Sequence, residues 1–297
     1  MLVRQIQAGD IAQVRELHSL LHGKSLNQQE ILDSIKAVQR AKGAYLVAVE
    51  AGQVVGYLSY ALIPGLSGWY NLNLYVHPHH RRKGCGQALL ESTVKIVRQL
   101  PEAQILLAMF EIENEELAHF LKKAGLSLEK YDWHYELNSL EKLPTPLFPP
   151  TITLESGQKD ETERFVKLHY RSFEDTAYFQ PYKLEEVNHE QQLSPYFQMI
   201  FACDQQGQDV GVIWWRLEHN TPQKSVIIEP LGIIPAWRRK GLGRALMLEA
   251  LGRAQLQGAQ CSELWFQSWN HPARQLYEQL GYRKIGGKVT YVLHFKP

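Results

Sequence analysis

Two short stretches of this chain combine basic residues, glycines and a following helix pattern in a way that suits phosphate chemistry. One reads Ile233-Ile234-Pro235-Ala236-Trp237-Arg238-Arg239-Lys240-Gly241-Leu242-Gly243-Arg244-Ala245. An earlier one reads Tyr75-Val76-His77-Pro78-His79-His80-Arg81-Arg82-Lys83-Gly84-Cys85-Gly86-Gln87. Each has the grammar of a strand end, a basic glycine turn and a helix start. Such a turn presents unpaired backbone N–H groups and the positive end of the helix dipole to one point in space. Glycine lets the backbone close on a ligand with no Cβ in the way. The Arg-Arg-Lys flank adds positive charge, so the expected guest is a phosphate or pyrophosphate.

Two familiar glycine motifs are excluded. A P-loop needs Lys-Ser/Thr after its last glycine, where Arg244 and Gln87 stand here. A dinucleotide fingerprint needs a third glycine where this chain has Leu246 and Leu89. What remains is Arg-x-x-Gly-x-Gly, three residues after an apolar-x-Pro.

A second stretch follows the later turn: Asn270-His271-Pro272-Ala273-Arg274-Gln275-Leu276-Tyr277-Glu278-Gln279-Leu280-Gly281-Tyr282. It is the pattern of a short capped helix, with Asn at the N-cap, Pro in the first turn and Gly just past the end. Ala273 and Tyr277 are four apart and share a face, and a small residue beside a tyrosine leaves a ligand room to reach the phenol. The plain reading is a core tyrosine packing one ring; the functional one is a proton donor. Glu229 lies on the strand leading to the later turn, six residues before Pro235, and is followed by Pro230. A proline there removes a ladder donor and predicts an edge or a bulge. Glu229 is then either a solvated strand carboxylate or a base.

The elements that must position these groups recur in order along the chain. Val3–Ile6 reads as a strand, and Asp10 is expected to cap a helix with apolar positions Ile11, Val14, Leu17, Leu20 and Leu21. A second helix spans Ile31 to Val38, and Tyr45–Val49 with Val54–Tyr60 reads as a hairpin. Leu72–Val76 delivers the first turn. Its helix runs from about Gly86 and stops before Pro101. Ile105–Phe110 is the next strand, Asn114 caps a helix ending at Gly125, and Leu128–Leu137 closes the series. Ser139–Pro150 holds Pro144, Pro146, Pro149 and Pro150 and reads as a linker. The order then repeats: Ile152–Leu154, a helix from Asp160 through Phe165, Leu168 and Phe173, strands Met199–Cys203, Val210–Leu217 and Val226–Ile234, a helix Gly243–Gln257, strand Leu264–Gln267, the Asn270 cap, and strand Val289–Phe295. Pro78 and Pro235 are 157 apart, as are Gly84 and Gly241, while Asn114 and Asn270 are 156 apart, as are Gly125 and Gly281. A period this long means two copies of one domain. The expected division is 1–140, a linker 141–150, and 151–297.

Both turns, the capped-helix motif and the duplicated element order resemble the GNAT superfamily of N-acetyltransferases in tandem form, as in the mycothiol synthase-like proteins. The resemblance covers nearly the whole chain, twice. It implies an α/β (mixed α+β) fold: two GNAT-type domains, each a twisted, mostly antiparallel mixed sheet with helices on both faces. It implies acetyl-CoA as cofactor, its pyrophosphate held by Arg238, Arg239, Lys240, Gly241, Leu242, Gly243, Arg244 and Ala245. Gly232, Ile233 and Ile234 would supply backbone to the pantetheine arm, and Asn270 would cap the helix carrying Tyr277. In this family the equivalent tyrosine hydroxyl points at the cofactor's sulfur, and the thiolate leaving group has a free pKa of ~8.5. Tyr277 would then be the acid and Glu229 the base that deprotonates an amine of pKa ~10.

The first half keeps the turn but departs elsewhere. Leu72 stands where the second half has Glu229, Leu121 where it has Tyr277, and Leu117 where it has Ala273. A second cofactor site would use Leu74, Tyr75, Val76, Arg81, Arg82, Lys83, Gly84, Cys85, Gly86 and Gln87, without those proton-handling groups. The expectation is a catalytic C-terminal half beside an N-terminal half that is structural or holds cofactor without turning it over.

Charge balance points away from nucleic acid: 32 basic residues face 31 acidic ones, and neither half is basic. Three scattered cysteines, Cys85, Cys203 and Cys261, have no metal-ligand spacing and read as reduced thiols. No signal-peptide pattern opens the chain and no apolar run reaches membrane length, so the expectation is a cytoplasmic protein, monomeric or homodimeric. His77, His79 and His80 are expected to be surface histidines with some affinity for phosphate, and no metal is expected. Phe173, Tyr178, Phe179, Tyr182, Tyr196 and Phe197 either form an acceptor cleft, with Glu174 and Asp175 receiving a cation, or are core. Trp237 either stacks on adenine or packs. The acceptor is expected to be a small-molecule or peptide amine, attacked directly, because no cysteine lies beside a base on a site strand. Two rivals remain: a non-catalytic acyl-CoA sensor or interaction module, and an aminoacyl transferase using charged tRNA. The latter needs neither two such turns nor this neutral balance.

Overall fold

A computed structural model of the chain describes residues 1–23, 26–158, 160–176, 182–193, 197–218 and 224–295, apart from the side chains of 186, 189, 190, 192 and 193. The elements run β1 (Leu2–Gln5), α1 (Ile11–His22), α2 (Gln28–Arg40), β2 (Ala44–Glu50), β3 (Gln53–Leu62), β4 (Trp69–Val76), α3 (Cys85–Arg98), β5 (Ile105–Glu111), α4 (Glu115–Lys123) and β6 (Ser127–Leu137). The series repeats as β7 (Thr153–Ser156), α5 (Thr162–Phe173), α6 (Leu184–Leu193), β8 (Phe197–Cys203), β9 (Asp209–Glu218), β10 (Ser225–Ile233), α7 (Leu242–Leu256), β11 (Cys261–Gln267), α8 (His271–Gln279) and β12 (Arg283–His294). This is the mixed α/β architecture expected from the sequence, in two copies. Helix α6 is an element that the residue pattern did not announce. Its sequence, LEEVNHEQQL, offers Val187 as a fully buried anchor but no apolar stripe.

Two compact units divide the chain differently from the sequence halves. One comprises Met1–Tyr131 with Lys288–Pro297, and the other comprises Asp132–Gly287. The first unit therefore closes its sheet with the end of β12, which pairs antiparallel with β5 from Lys288↔Glu111 to His294↔Ile105. The second closes with the end of β6, paired antiparallel with β11 from Ser262↔Leu137 to Gln267↔Asp132. Each sequence repeat thus donates its closing strand to the other unit. Residues 141–150 form neither helix nor strand.

Within the first unit, strands β1 to β4 are antiparallel neighbours, and β4 pairs parallel with β5. Its sheet is covered on one face by α3, through Leu89, Leu90 and Val97, and on the other by α1 and α2, through Val14, Leu17 and Ile31. The second unit repeats the plan. Strands β7 to β10 are antiparallel neighbours and β10 pairs parallel with β11. Helix α7 packs Leu242, Leu246, Met247 and Leu251 on one face, while Phe165 and Leu168 of α5 pack on the other. Gly56 and Gly211 let the α3 and α7 layers approach: a Cβ there would lie 2.9 Å from Cys85 Sγ and 3.0 Å from Leu246 Cδ1 respectively.

Candidate active site

The two glycine turns are conformational twins. Each begins with a short 3-10 turn, Pro78–His80 or Pro235–Trp237, and continues through an extended Arg81 or Arg238. Arg82 and Arg239 then adopt left-handed φ values of 59° and 64°, and Gly84 and Gly241 values of 82° and 81°. A non-glycine residue in that region is uncommon, and its recurrence at matching positions marks a built turn. The first bonds inside the following helices run from Ala88 N–H to Gly84 O and from Ala245 N–H to Gly241 O. In the second turn, Leu242, Gly243 and Arg244 therefore carry the N–H groups that helix geometry leaves unspent, while Ala245 has committed its own. A Cβ on Gly241 or Gly84 would meet no atom within 4 Å, so both turns face open space. Their donors, charge and clearance fit a diphosphate.

Beyond the turn the sheet opens. The parallel ladder between β10 and β11 ends at Ile228↔Leu264, and that between β4 and β5 at Leu72↔Ala108. Glu229 is thus the first residue after β10 leaves its parallel partner. On its other side β10 pairs with β9 through a register shift between Ile228 and Leu231, where the ring of Pro230 removes an amide donor, as the sequence predicted. Glu229 is half-buried, and Arg216 Nε donates to its Oε1 at 3.4 Å while also pairing with Glu218. Sequence spacing gave no hint of Arg216, which reaches Glu229 only through the β9–β10 pairing.

Asn270 caps α8 by accepting the Ala273 N–H at 3.2 Å, as Asn114 accepts the Leu117 N–H at 3.1 Å in α4. Tyr277 is buried, with 8% of its surface exposed, and packs in the same core cluster as Leu242 and Leu246 of α7, on the turn's side of the sheet. Phe266 meets its ring edge-on at 5.3 Å and Tyr282 lies at 5.9 Å. Burial pushes its phenol up to about 12, so the group stays protonated across the working pH range and suits a donor. The two readings of Tyr277, core ring and proton donor, therefore coincide in one side chain.

Some residues ascribed to cofactor binding have additional protein partners. Arg238 donates Nε to Ile233 O at 3.1 Å, one terminal nitrogen to Ser172 O at 2.7 Å, and both terminal nitrogens to Asp175. Asp175 does receive a cation, and it is Arg238. Lys240 Nζ lies 4.9 Å from the Trp237 ring, which packs against the core. Arg239 and Gly241 are exposed, and Ile233 and Ile234 are half-buried. Gly232 is buried because α5 crosses it: a Cβ there would lie 3.0 Å from Ser172 Cβ and 3.2 Å from Phe173. Phe173, Tyr182 and Phe197 pack around Phe165, His169 and Trp214 as core, whereas Tyr178, Phe179 and Tyr196 lie outside the described residues.

In the first unit, Leu72 and Leu121 are fully buried in the core. Arg81 and Arg82 both face Glu116 of α4, at 3.6 and 3.1 Å. A cavity of about 1470 Å³ is lined by Arg81, Arg82, Gly84 and Gly86 of the turn and by Leu74, Tyr75 and His22. The three histidines beside this turn are mutually engaged: His77 Nδ1 accepts the His79 N–H, and His80 pairs with Glu50 at 3.0 Å. Burial raises the thiols of Cys85 and Cys203, to about 11 and about 12, and also that of Cys261, so all three stay protonated and poorly nucleophilic. Among the described residues no helix is long and apolar enough to cross a membrane.

A sheet that parts beside a phosphate-type turn, with a buried phenol on the turn's side, defines an acyltransferase fold, here doubled. The chain belongs to the acetyltransferase (GNAT) family, whose sequence profile matches residues 11–126 and again 162–282. It is similar to the mycothiol acetyltransferase of Thermomonospora curvata, 26% identical over 90% of this chain and 86% of that one. It is equally similar to the mycothiol acetyltransferase of Thermobispora bispora, 26% identical over 90% and 89%. Among solved structures it resembles a GCN5-related N-acetyltransferase from Sphaerobacter thermophilus, with TM-score 0.70, 17% identity and coverage of 100% and 96%. It also resembles a tandem GNAT protein from the clavulanic acid biosynthesis pathway, with TM-score 0.68, 17% identity and coverage of 100% and 99%. At those identities the structural likeness concerns the fold.

Proposed function

We propose that the second unit transfers an acetyl group from acetyl-CoA to a primary amine by direct attack. The support for this reading is the parting of β10 from β11 at Glu229, on the strand that runs into the Gly241 turn and packs in the same core cluster as buried Tyr277. Leu242, Gly243 and Arg244 would hold the diphosphate through backbone N–H groups, with Arg239 and Lys240 adding charge. Arg238 would keep the turn in shape. The backbone of Gly232, Ile233 and Ile234 would align the pantetheine arm, and the cofactor would supply the activated acyl thioester.

Glu229 then accepts a proton from the ammonium acceptor, directly or through a water, which frees the nitrogen lone pair for attack. Tyr277, a neutral donor with its phenol held near 12, gives its phenolic hydrogen to the leaving sulfur and recovers one from the nitrogen, which sheds its second proton as the amide forms. Each such group contributes typically ~10²–10⁴ in rate. The protonated, buried cysteines support direct attack over a covalent acyl-enzyme.

The first unit keeps the turn and has a cavity beside it, which supports a second cofactor site there, using Leu74, Tyr75 and Val76 and the amides of Cys85, Gly86 and Gln87. It lacks the Glu229 and Tyr277 equivalents. The test is thiol release from acetyl-CoA against a panel of amines, in which amines related to mycothiol belong because of the relatives' named activity. Amine-dependent release that falls in the Tyr277→Phe variant with unchanged coenzyme A affinity supports the reading. Coenzyme A binding without release, or release indifferent to Tyr277, argues for a sensor instead.

A further inference from the structure

The leucines at positions 72 and 121 do not leave the first unit without a proton acceptor. Its cavity is also lined by the last residue of α1, His22. The last residue of α5 in the second unit is Phe173, which packs onto Gly232; the first unit has Tyr75 in place of that glycine. His22 meets Tyr75 edge-on, with ring centroids 4.8 Å apart. On its other side lies His18, at 4.3 Å, and His18 Nδ1 is hydrogen-bonded to the Tyr57 hydroxyl at 2.9 Å. Tyr57 in turn packs on Tyr75 at 4.9 Å. His22 is exposed, and its imidazole contacts the rings of His18 and Tyr75. It lines the same cavity as the phosphate turn, beside the strand segment that has left β5 after Leu72. Asn71 also lines this cavity, and its Oδ1 is buried with no hydrogen-bond partner among the described residues. That is an acceptor waiting for an N–H.

We propose that the cavity of the N-terminal unit is a second acyl-transfer centre, in which His22 takes the place of the strand glutamate as base. This rests on the reading that the turn at Gly84 holds a coenzyme A thioester. With a diphosphate at the turn, an arm laid along Leu74 and Tyr75 would pass His22, which touches Tyr75. A small primary amine entering from the α1 side loses one proton to the imidazole. Its nitrogen forms the new bond to the carbonyl carbon, and the carbon–sulfur bond breaks with its electron pair kept by sulfur. The departing thiolate has a free pKa of ~8.5 and leaves without a tyrosine, taking a proton from the imidazolium or from solvent. Transfer here is slower than in the second unit because no phenol assists departure, and Asn71 Oδ1 is placed to accept an N–H of the amine or of the cofactor arm.

The experiment uses the full-length chain with Glu229→Gln and Tyr277→Phe together, compared with wild type and with the same chain carrying His22→Gln. Amine-dependent thiol release by the double variant is expected at about 10²- to 10⁴-fold below wild type, and His22→Gln is expected to remove at least about tenfold of that remainder. A readout independent of turnover is carbethoxylation of His22 by diethylpyrocarbonate, followed by mass spectrometry. Acetyl-CoA is expected to protect His22 several-fold while leaving exposed His294 labelled. Equal labelling of His22 with and without acetyl-CoA, or residual release indifferent to His22→Gln, overturns the proposal. The fall from wild type to the double variant tests the second unit separately. If the double variant keeps the full wild-type rate and His22→Gln abolishes it, the N-terminal centre stands and the assignment to Tyr277 and Glu229 fails.

Discussion

Arg238 and Asp175 form a two-armed ion pair, with guanidinium nitrogens 2.7 and 2.8 Å from the two carboxylate oxygens. The same guanidinium reaches the carbonyls of Ile233 and Ser172, so one side chain ties the end of β10 to the end of α5. The partner guanidinium holds the Asp175 carboxyl below the usual carboxylate range. Its exposure means that solvent screens the pair, which limits its worth to about 0–1 kcal/mol. Arg238→Ala also strips two backbone acceptors and is expected to cost about 1–3 kcal/mol. Asp175→Asn should therefore shift urea midpoints little and Arg238→Ala clearly. Coenzyme A affinity, measured by calorimetry, should fall in Arg238→Ala because the turn loses its brace.

Tyr277→Phe keeps the ring packing against Phe266 and removes only the hydroxyl. The expected result is a fall in kcat of about 10²–10⁴-fold with coenzyme A affinity unchanged. The hydroxyl's elevated pKa, about 12, adds a second signature. Since the phenol ionises only on approaching that pH, the wild-type rate profile should show no basic limb from this group between pH 6 and 10. A limb in that range that disappears in Tyr277→Phe contradicts the assignment.

Gly232 faces Ser172 and Phe173 so closely that a Cβ, 3.0 and 3.2 Å from them, requires these side chains to give way slightly. Gly232→Ala is expected to destabilise the chain by about 1–3 kcal/mol through overpacking. Ser172→Gly, which removes the nearer obstacle, should recover part of that loss in the double variant. Denaturant unfolding of the three variants measures the coupling, and strict additivity speaks against the contact.

His169 is buried among Phe165, Phe173 and Tyr182, and desolvation lowers its imidazole to about 4. A histidine so shifted binds its proton more readily in the unfolded chain, whose pKa is near ~6.5. Stability must then decline as pH falls from about 6.5 toward 4, by up to about 3 kcal/mol, and flatten below. His169→Leu should remove that slope. Chemical unfolding at pH 7, 5.5 and 4.5 makes the comparison, and an unchanged slope refutes this source.

Local signals carried most of the fold into view. The glycine turns, the asparagine caps at Asn114 and Asn270 and the bulge at Pro230 each depend on neighbours within a few residues, and the structure realises each of them. Contacts between distant segments were not legible. Arg216 meets Glu229 because β9 pairs with β10, and Asp175 meets Arg238 because α5 ends beside the turn. The exchange of closing strands is invisible to a repeat period, since both repeats contain a strand of the right kind in the right place. His22 escaped a comparison of matched positions because its counterpart lies on a different element from Glu229. Helix α6 had one buried residue to announce it and no periodic stripe.

The central claim is that the amides following Gly241 seat a diphosphate so that the thioester sulfur lies within reach of the Tyr277 hydroxyl. A crystal structure of the chain with acetyl-CoA tests it most directly. The expected result is diphosphate oxygens on the N–H groups of Leu242, Gly243 and Arg244, with the phenolic oxygen at hydrogen-bonding distance from sulfur. A cofactor bound in the second unit with its sulfur turned away from Tyr277, or with its diphosphate off the turn, would contradict the account.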